Sequence, residues 1–267
     1  MANWSLSPTP LPGPARGRHP VVHVRAHPRL VFFPADKISR DPNAGGAEGF
    51  WLGTIYVVLG GQVVANYAAC GGPKDGFDDR GHVAGETPPG HYILGPRHRH
   101  VTLNWPPSSI PWGALIRRAA NGEVEFDDGS GWKPATGDGA PMNKALIRSY
   151  KIAGQAVPPL AQIREDARAA FDINLKNPTG QLVTMWERND FGQWAFNLRR
   201  DGKGTPYYIH TTPRDEYATA HNLAFSLVQS HGCVHIRPDD RETMMQAGYL
   251  AAGIPFEVRA YDKKGPP

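Results

Sequence analysis

Glycine and proline punctuate this chain so densely that long uninterrupted helices are excluded from most of it. There are 30 Gly and 26 Pro among 267 residues, and between such breakers short strands and turns are the elements that fit. Residues 52–59 and 62–69 are two β-rich runs meeting at Gly60-Gly61, a hairpin pattern. Val21–Arg25 and Leu30–Phe33 are short strand candidates, and His91–Leu94 and His100–Leu103 are two more around Gly95-Pro96. Trp112–Arg117 and Glu123–Phe126 alternate around Asn121-Gly122, and Leu182–Trp186 and Gln193–Leu198 resume the β pattern. Two segments carry a helical signal. Pro159–Phe171 places Leu160, Ile163 and Ala167 at helical spacing. Asp240–Ala252 has Asp239 as cap, Glu242 to complete a capping box and Gly253 as stop. The expectation is a mainly β fold with about two helices.

Composition narrows the class further. A hydrophobic content of 40% supplies a packed core and argues against wholesale disorder. The net charge of +4 is mild, and the basic residues are scattered except for Arg97–His100. With no recognised module beside that charge, nucleic acid is not an expected partner. No apolar run approaches the length of a membrane span. Residues 1–20 carry Pro8, Pro10, Pro12, Pro14 and Pro20 and read as an extended lead-in. Residues 1–49 are therefore expected to form a Pro-rich segment partly packed on a domain spanning 50–262, with an insert at about 105–205. Met1–Pro8 lack the basic start and apolar stretch of a signal peptide. Asp75, Asp78 and Asp79 fit a solvated loop better than a calcium loop. The clustered His82, His91, His98 and His100 are expected as solvated surface or turn packing.

The chemistry concentrates at one place. Residues 230–235 read Ser-His-Gly-Cys-Val-His and include Cys233, one of only two cysteines. A thiol is a poor nucleophile until it loses its proton, and an imidazole is the usual agent. His210 ends a β-like run upstream, in Tyr-Tyr-Ile-His-Thr-Thr. Gly232 before Cys233 leaves room for a substrate carbonyl and for backbone N–H donors. His210, Ser230, His231, Gly232 and Cys233 are thus candidate base, orienting groups, oxyanion donors and nucleophile. Thiolate–imidazolium and neutral-base forms fit the sequence equally. Cys70 closes an apolar run and is expected as a small buried residue, not as a bridge to Cys233.

At these residues the chain resembles the L,D-transpeptidase (YkuD-like) family of cell-wall enzymes. Ser230–Val234 match its Ser/Thr-His-Gly-Cys-apolar pattern, and Thr87-Pro-Pro-Gly-His-Tyr92 resembles its Thr-Pro-x-Gly-x-Phe turn. Thr54–Tyr67 and Gly253–Arg259 resemble its opening hairpin and last strand. The pattern departs in three places. The spacer 211–229 is a few residues longer than usual, His235 stands where Arg or Asn is usual, and the 105–205 connection is far longer. The resemblance implies a YkuD-like β-sandwich or barrel of mixed sheets acting on peptidoglycan stem peptides without a cofactor. Cys233 would form a thioester at the third residue of a tetrapeptide stem and release D-alanine. An amine or water would then accept the acyl group. Thr211 would orient the base through its carbonyl and help line the substrate site, while Arg237 or His235 would anchor a substrate carboxylate. The site of action would be the periplasm or cell envelope, reached from a longer precursor or by a route like that of type VI-delivered toxins of this family. Two other readings compete: a zinc site on His210, His231, Cys233 and His235, and a non-catalytic peptidoglycan-binding relative.

Overall fold

A computed structural model of the chain describes residues 27–39, 50–74, 76–77, 83–175 and 183–266. The lead-in 1–20, the strand candidate Val21–Arg25, and Asp75, Asp78, Asp79 and His82 lie outside them. In chain order the elements are β1 (Arg29–Ser39), β2 (Phe50–Leu59), β3 (Gln62–Cys70), β4 (Gly90–His98), β5 (Leu115–Arg118), β6 (Val124–Asp127), β7 (Trp132–Pro134), α1 (Pro141–Ile152), α2 (Leu160–Asn174), β8 (Ala195–Arg200), β9 (Lys203–His210), α3 (Pro213–Ala220), β10 (Val234–Ile236), α4 (Pro238–Gln246) and β11 (Pro255–Val258). The fold is mainly β, as expected.

Eight strands close a barrel in the order β1-β11-β4-β8-β9-β10-β3-β2. The pairs β1–β11 and β9–β10 are parallel and the others antiparallel. Side chains alternate across each strand, so Leu30, Phe32, Ile55, Val57, Ile209 and Val234 point inward to one apolar core. The barrel begins at Arg29, ahead of the boundary expected at residue 50, and β8 and β9 reclaim residues 195–204 from the expected insert.

Local chemistry explains several departures. Gly95-Pro96 is a bulge inside a continuous β4, with the register shifting between Leu94 and Arg97. Proline has no N–H for a ladder, and a bulge is where a strand tolerates that. Residues 100–103 form no strand. Nor do residues 183–186, where Met185 makes one isolated bridge to Leu115. Helix α4 starts at Pro238 with Arg237 in the cap position, and Glu242 accepts from Arg241 Nε at 3.1 Å rather than closing a capping box. It ends before Gly248, whose φ of 75° a helix cannot continue. Helices α1 and α3 were not expected; each opens on a proline, the residue whose missing N–H a first helical turn does not need.

The insert has a core of its own. The β5-β6-β7 sheet, α1 and α2 pack around Ile110, Ile116, Phe126, Met142, Phe171 and Trp186. Phe171 and Trp186 stack with ring centroids 5.1 Å apart. No helix among the described residues is long and apolar enough to cross a membrane.

Candidate active site

Strands β9 and β10 lie side by side with Val234 opposite Ile209 and His235 opposite His210. Ile209, Val234 and Ile236 face the core, so alternation places Tyr208, His210, Cys233 and His235 on the outer face. Helix α3 and the segment 221–233 connect the two strands, as a parallel crossover requires. Thr212 caps α3 by accepting from Asp215 N–H at 3.2 Å.

Cys233 is held from below. Its carbonyl accepts from Ser230 Oγ at 2.5 Å and from Thr87 Oγ1 at 3.1 Å. Ser230 Oγ in turn accepts the Gly232 N–H at 3.1 Å, and Thr87 Oγ1 the Gly72 N–H at 3.0 Å. The Tyr261 hydroxyl completes the set, donating to the Gly72 carbonyl at 2.5 Å and accepting the Thr87 N–H at 3.0 Å. The Thr87-Pro88 turn is thus a prop under the thiol, a role its sequence pattern did not disclose. Gly232 has φ 111°, and a Cβ there would lie 2.8 Å from the Tyr207 ring. No other residue fits that turn without strain.

His210 is buried, and its Nδ1 donates to the Thr211 carbonyl at 2.7 Å. That bond leaves the lone pair on Nε2. The carbonyl is one of the three orienting groups considered from sequence; Ser230 is engaged with Cys233, and His231 is exposed at the turn. Phe191 and His235 flank the His210 ring, each with its centroid 4.7 Å away. Phe191 also meets His100 at 4.1 Å and Tyr208 at 5.4 Å, and His100 meets Tyr208 at 4.5 Å. His100, expected as solvated surface or turn packing, is therefore part of a ring wall beside the site. Phe191 and Tyr208 gave no sequence signal, because aromatic residues serve cores far more often than sites.

Burial sets the electrostatics. It pushes the Cys233 thiol up to about 12, with a backbone hydrogen bond from Tyr208 pulling weakly the other way, although part of the side chain stays accessible. Burial holds His210 well below the usual imidazole range, helped by the neighbouring His235 and opposed by the Thr211 and Asp190 backbone. It also lowers His235 and His100 to about 4. Desolvation disfavours charge on either partner. Both shifts favour the uncharged forms of the thiol and the imidazole.

Three expected roles change. Thr211 is fully buried and acts on the imidazole, not on a ligand. His235 is also buried, and its Nδ1 donates to the Val228 carbonyl at 2.9 Å, so it lies beside His210 instead of in an open subsite. No group of three or more His, Cys, Asp or Glu among the described residues is placed to hold a metal ion, and the zinc arrangement does not form. Arg237 is exposed, its guanidinium 5.1 Å from the Phe225 ring. Cys70 is fully buried at the end of β3, and neither cysteine is in a disulfide.

This barrel, with Ser-His-Gly-Cys opening one strand and a carbonyl-oriented histidine ending its parallel neighbour, agrees with a family comparison. A family model for the L,D-transpeptidase catalytic domain, YkuD, matches residues 53–247. The chain belongs to the L,D-transpeptidase catalytic domain family. Among curated proteins none matches it. Membership of the L,D-transpeptidase family carries peptidoglycan modification as the general function and peptidoglycan as the substrate class. β1 and β11 lie outside the matched residues and, paired with each other, close the L,D-transpeptidase barrel between β2 and β4.

Proposed function

We propose that this protein is a cysteine acyltransferase that cleaves the bond before the terminal D-alanine of a peptidoglycan tetrapeptide stem. The observation that carries the reading is the His210 imidazole, set by the Thr211 carbonyl on the same barrel face as Cys233. As the sulfur attacks the carbonyl carbon of the third residue, the thiol proton passes to His210 Nε2. The Gly232 N–H is committed to Ser230 Oγ, so we assign the developing oxyanion to the Cys233 N–H. The C–N bond then breaks, His210 returns the proton to the departing D-alanine amine, and a thioester remains. An amine attacking that thioester gives a 3→3 crosslink or D-amino acid exchange; water gives hydrolysis. His210 takes the proton of the incoming group and returns it to the sulfur.

A neutral pair suits this cycle. Each proton moves only during bond making, and no buried charge waits in the resting site. Arg237 is assigned the substrate carboxylate, which its planar fork suits. The site of action is assigned to the periplasm or cell envelope, where the polymer lies. A non-catalytic binding relative would need neither the thiol nor the oriented imidazole. Tetrapeptide muropeptides incubated with the protein and with Cys233→Ala, followed by mass spectrometry, test the reading. D-Alanine release that depends on Cys233 supports it; crosslinked dimers then mark a transpeptidase, and tripeptides alone a carboxypeptidase. Absence of release from the unaltered protein would replace it with the binding reading.

A further inference from the structure

Glu216 enters no step of that cycle, yet three donors converge on its Oε1. Thr211 Oγ1 donates at 2.6 Å, the Gln193 N–H donates at 3.0 Å, and the Arg241 guanidinium pairs with it. Both charged side chains are almost wholly buried. Arg241 is held in turn by Glu242 at 2.8 Å and by Gln193 Oε1 at 3.1 Å.

Stability alone does not explain such a pair. Desolvating two charges cancels most of their attraction, and well-packed apolar residues often replace a buried ion pair without loss. What distinguishes Glu216 is where its other donors lead. Thr211 owns the carbonyl that receives the His210 Nδ1–H. Gln193 lies two residues past Phe191, whose ring flanks the His210 imidazole. Between them Gly192 has φ 58°, and a Cβ there would collide with Thr211 Oγ1 and sit 3.0 Å from Glu216 Oε1. The 191–193 turn is thereby packed flush against Thr211 and Glu216.

We propose that Glu216 is a positioning residue for the His210 imidazole, holding the Thr211 carbonyl at one edge of the ring and Phe191 against its face. The inference rests on His210 as the base. One carboxylate oxygen ties the residue after β9, α3, α4 and the exit of the insert to a single group. Arg241 spans the same two points, donating to Thr211 Oγ1 at 3.3 Å and to Gln193 Oε1; without the Glu216–Arg241 pair, Thr211 and the 191–193 turn relax independently, and the imidazole loses support on two sides.

The test uses the full chain and two readouts: Cys233 alkylation by iodoacetamide across pH, separated from Cys70 by peptide mapping, and the NMR resonance of the His210 Nδ1 proton. Glu216→Leu with Arg241→Met removes both charges and the acceptor. It is expected to slow Cys233 alkylation at neutral pH by about tenfold to a hundredfold, the usual scale for a misplaced group, and to shift or broaden the Nδ1 resonance. Glu216→Gln with Arg241→Met restores an acceptor oxygen and is expected to recover most of the rate and the resonance. Thr211→Val, close in shape, removes only the hydroxyl and is expected to reproduce the loss; it decides the matter alone if the leucine variant does not fold. Wild-type rate and an unmoved resonance in the leucine variant or in Thr211→Val would overturn the proposal. So would a glutamine variant as impaired as the leucine one. His210→Ala measured in parallel separates the two ideas: unchanged alkylation there contradicts the base itself, while the resonance still reports what positions the ring.

Discussion

The barrel and the insert are built from similar material but hold their structure in different ways. The barrel closes eight strands on one another, so the backbone of every strand is paired and its core follows from alternation alone. The insert rests a three-stranded sheet against two helices, and its strands have only three or four residues each. Its core ends at Trp186, and the chain returns to the barrel through one polar clamp. The Asn189 amide donates to the carbonyls of His100 at 2.9 Å, Ser108 at 3.3 Å and Ile110 at 2.8 Å. The Ser108 hydroxyl donates to Asp190 Oδ2 at 2.8 Å and accepts the Asp190 N–H at 3.0 Å. The next residue is Phe191, against the His210 ring. The barrel thus supplies the proposed reacting groups, and the root of the insert supplies part of their enclosure.

The comparison breaks most visibly at the reacting groups. Cys233→Ala and His210→Ala are expected to lower acyl transfer by about a thousandfold or more, with melting temperatures near that of the unaltered protein; muropeptide turnover and calorimetry check this. An insert variant with equal effect on chemistry would erase the division. Next in size is Trp186→Ala. Removing a fully buried indole costs about 3–5 kcal/mol, and hydrogen exchange should show the loss confined to residues 110–186 while the barrel strands keep their protection.

Asn189→Ala sharpens the same boundary. It leaves three buried or part-buried carbonyls without their amide, a loss of about 2–3 kcal/mol. It should also lower kcat, because Phe191 is released from the base, an effect that Trp186→Ala should show only weakly. Denaturant melts combined with steady-state kinetics read both.

A further expected effect is the response to acid. His210, His235 and His100 are held below the imidazole value by burial. Their folded pKa values are depressed, so their contribution is complete above about pH 6.5 and is lost as pH falls toward 4, by about 3 kcal/mol for His235. Burial pushes Asp215 up to about 6, so its contribution is present at low pH and lost as pH rises through that value. Burial also raises the Asp190, Glu187 and Asp240 carboxyls, which act in the same direction as Asp215 and oppose the histidines; the histidine contribution is isolated by comparing the unaltered protein with His235→Asn. In melts from pH 6.5 down to 4, the stability of His235→Asn relative to the unaltered protein should rise.

How much of this was legible in the sequence follows the same divide. The Gly60-Gly61 hairpin, the run ending at His210 and the Ser230–His235 motif were readable because turns, alternation and reactive residue types act over a few neighbours. The Thr211 carbonyl was implied by the family resemblance and not by the residues themselves. The Thr87 prop, the Phe191 and Tyr208 walls and the Glu216–Arg241 pair were not readable. Each joins residues far apart in the chain, and none has a residue type peculiar to its role. His235 misled because Arg or Asn at that place suggested a ligand for substrate, whereas its register opposite His210 buries it. The second helix ran short because Gly248 stops it before Gly253 does.

Intact-protein mass spectrometry during turnover of a tetrapeptide donor tests the central claim most directly. The account predicts a transient adduct equal to the donor less D-alanine, mapped to Cys233, absent in Cys233→Ala and slow to form in His210→Ala. Undiminished D-alanine release by Cys233→Ala, with no adduct on the unaltered protein, would contradict it.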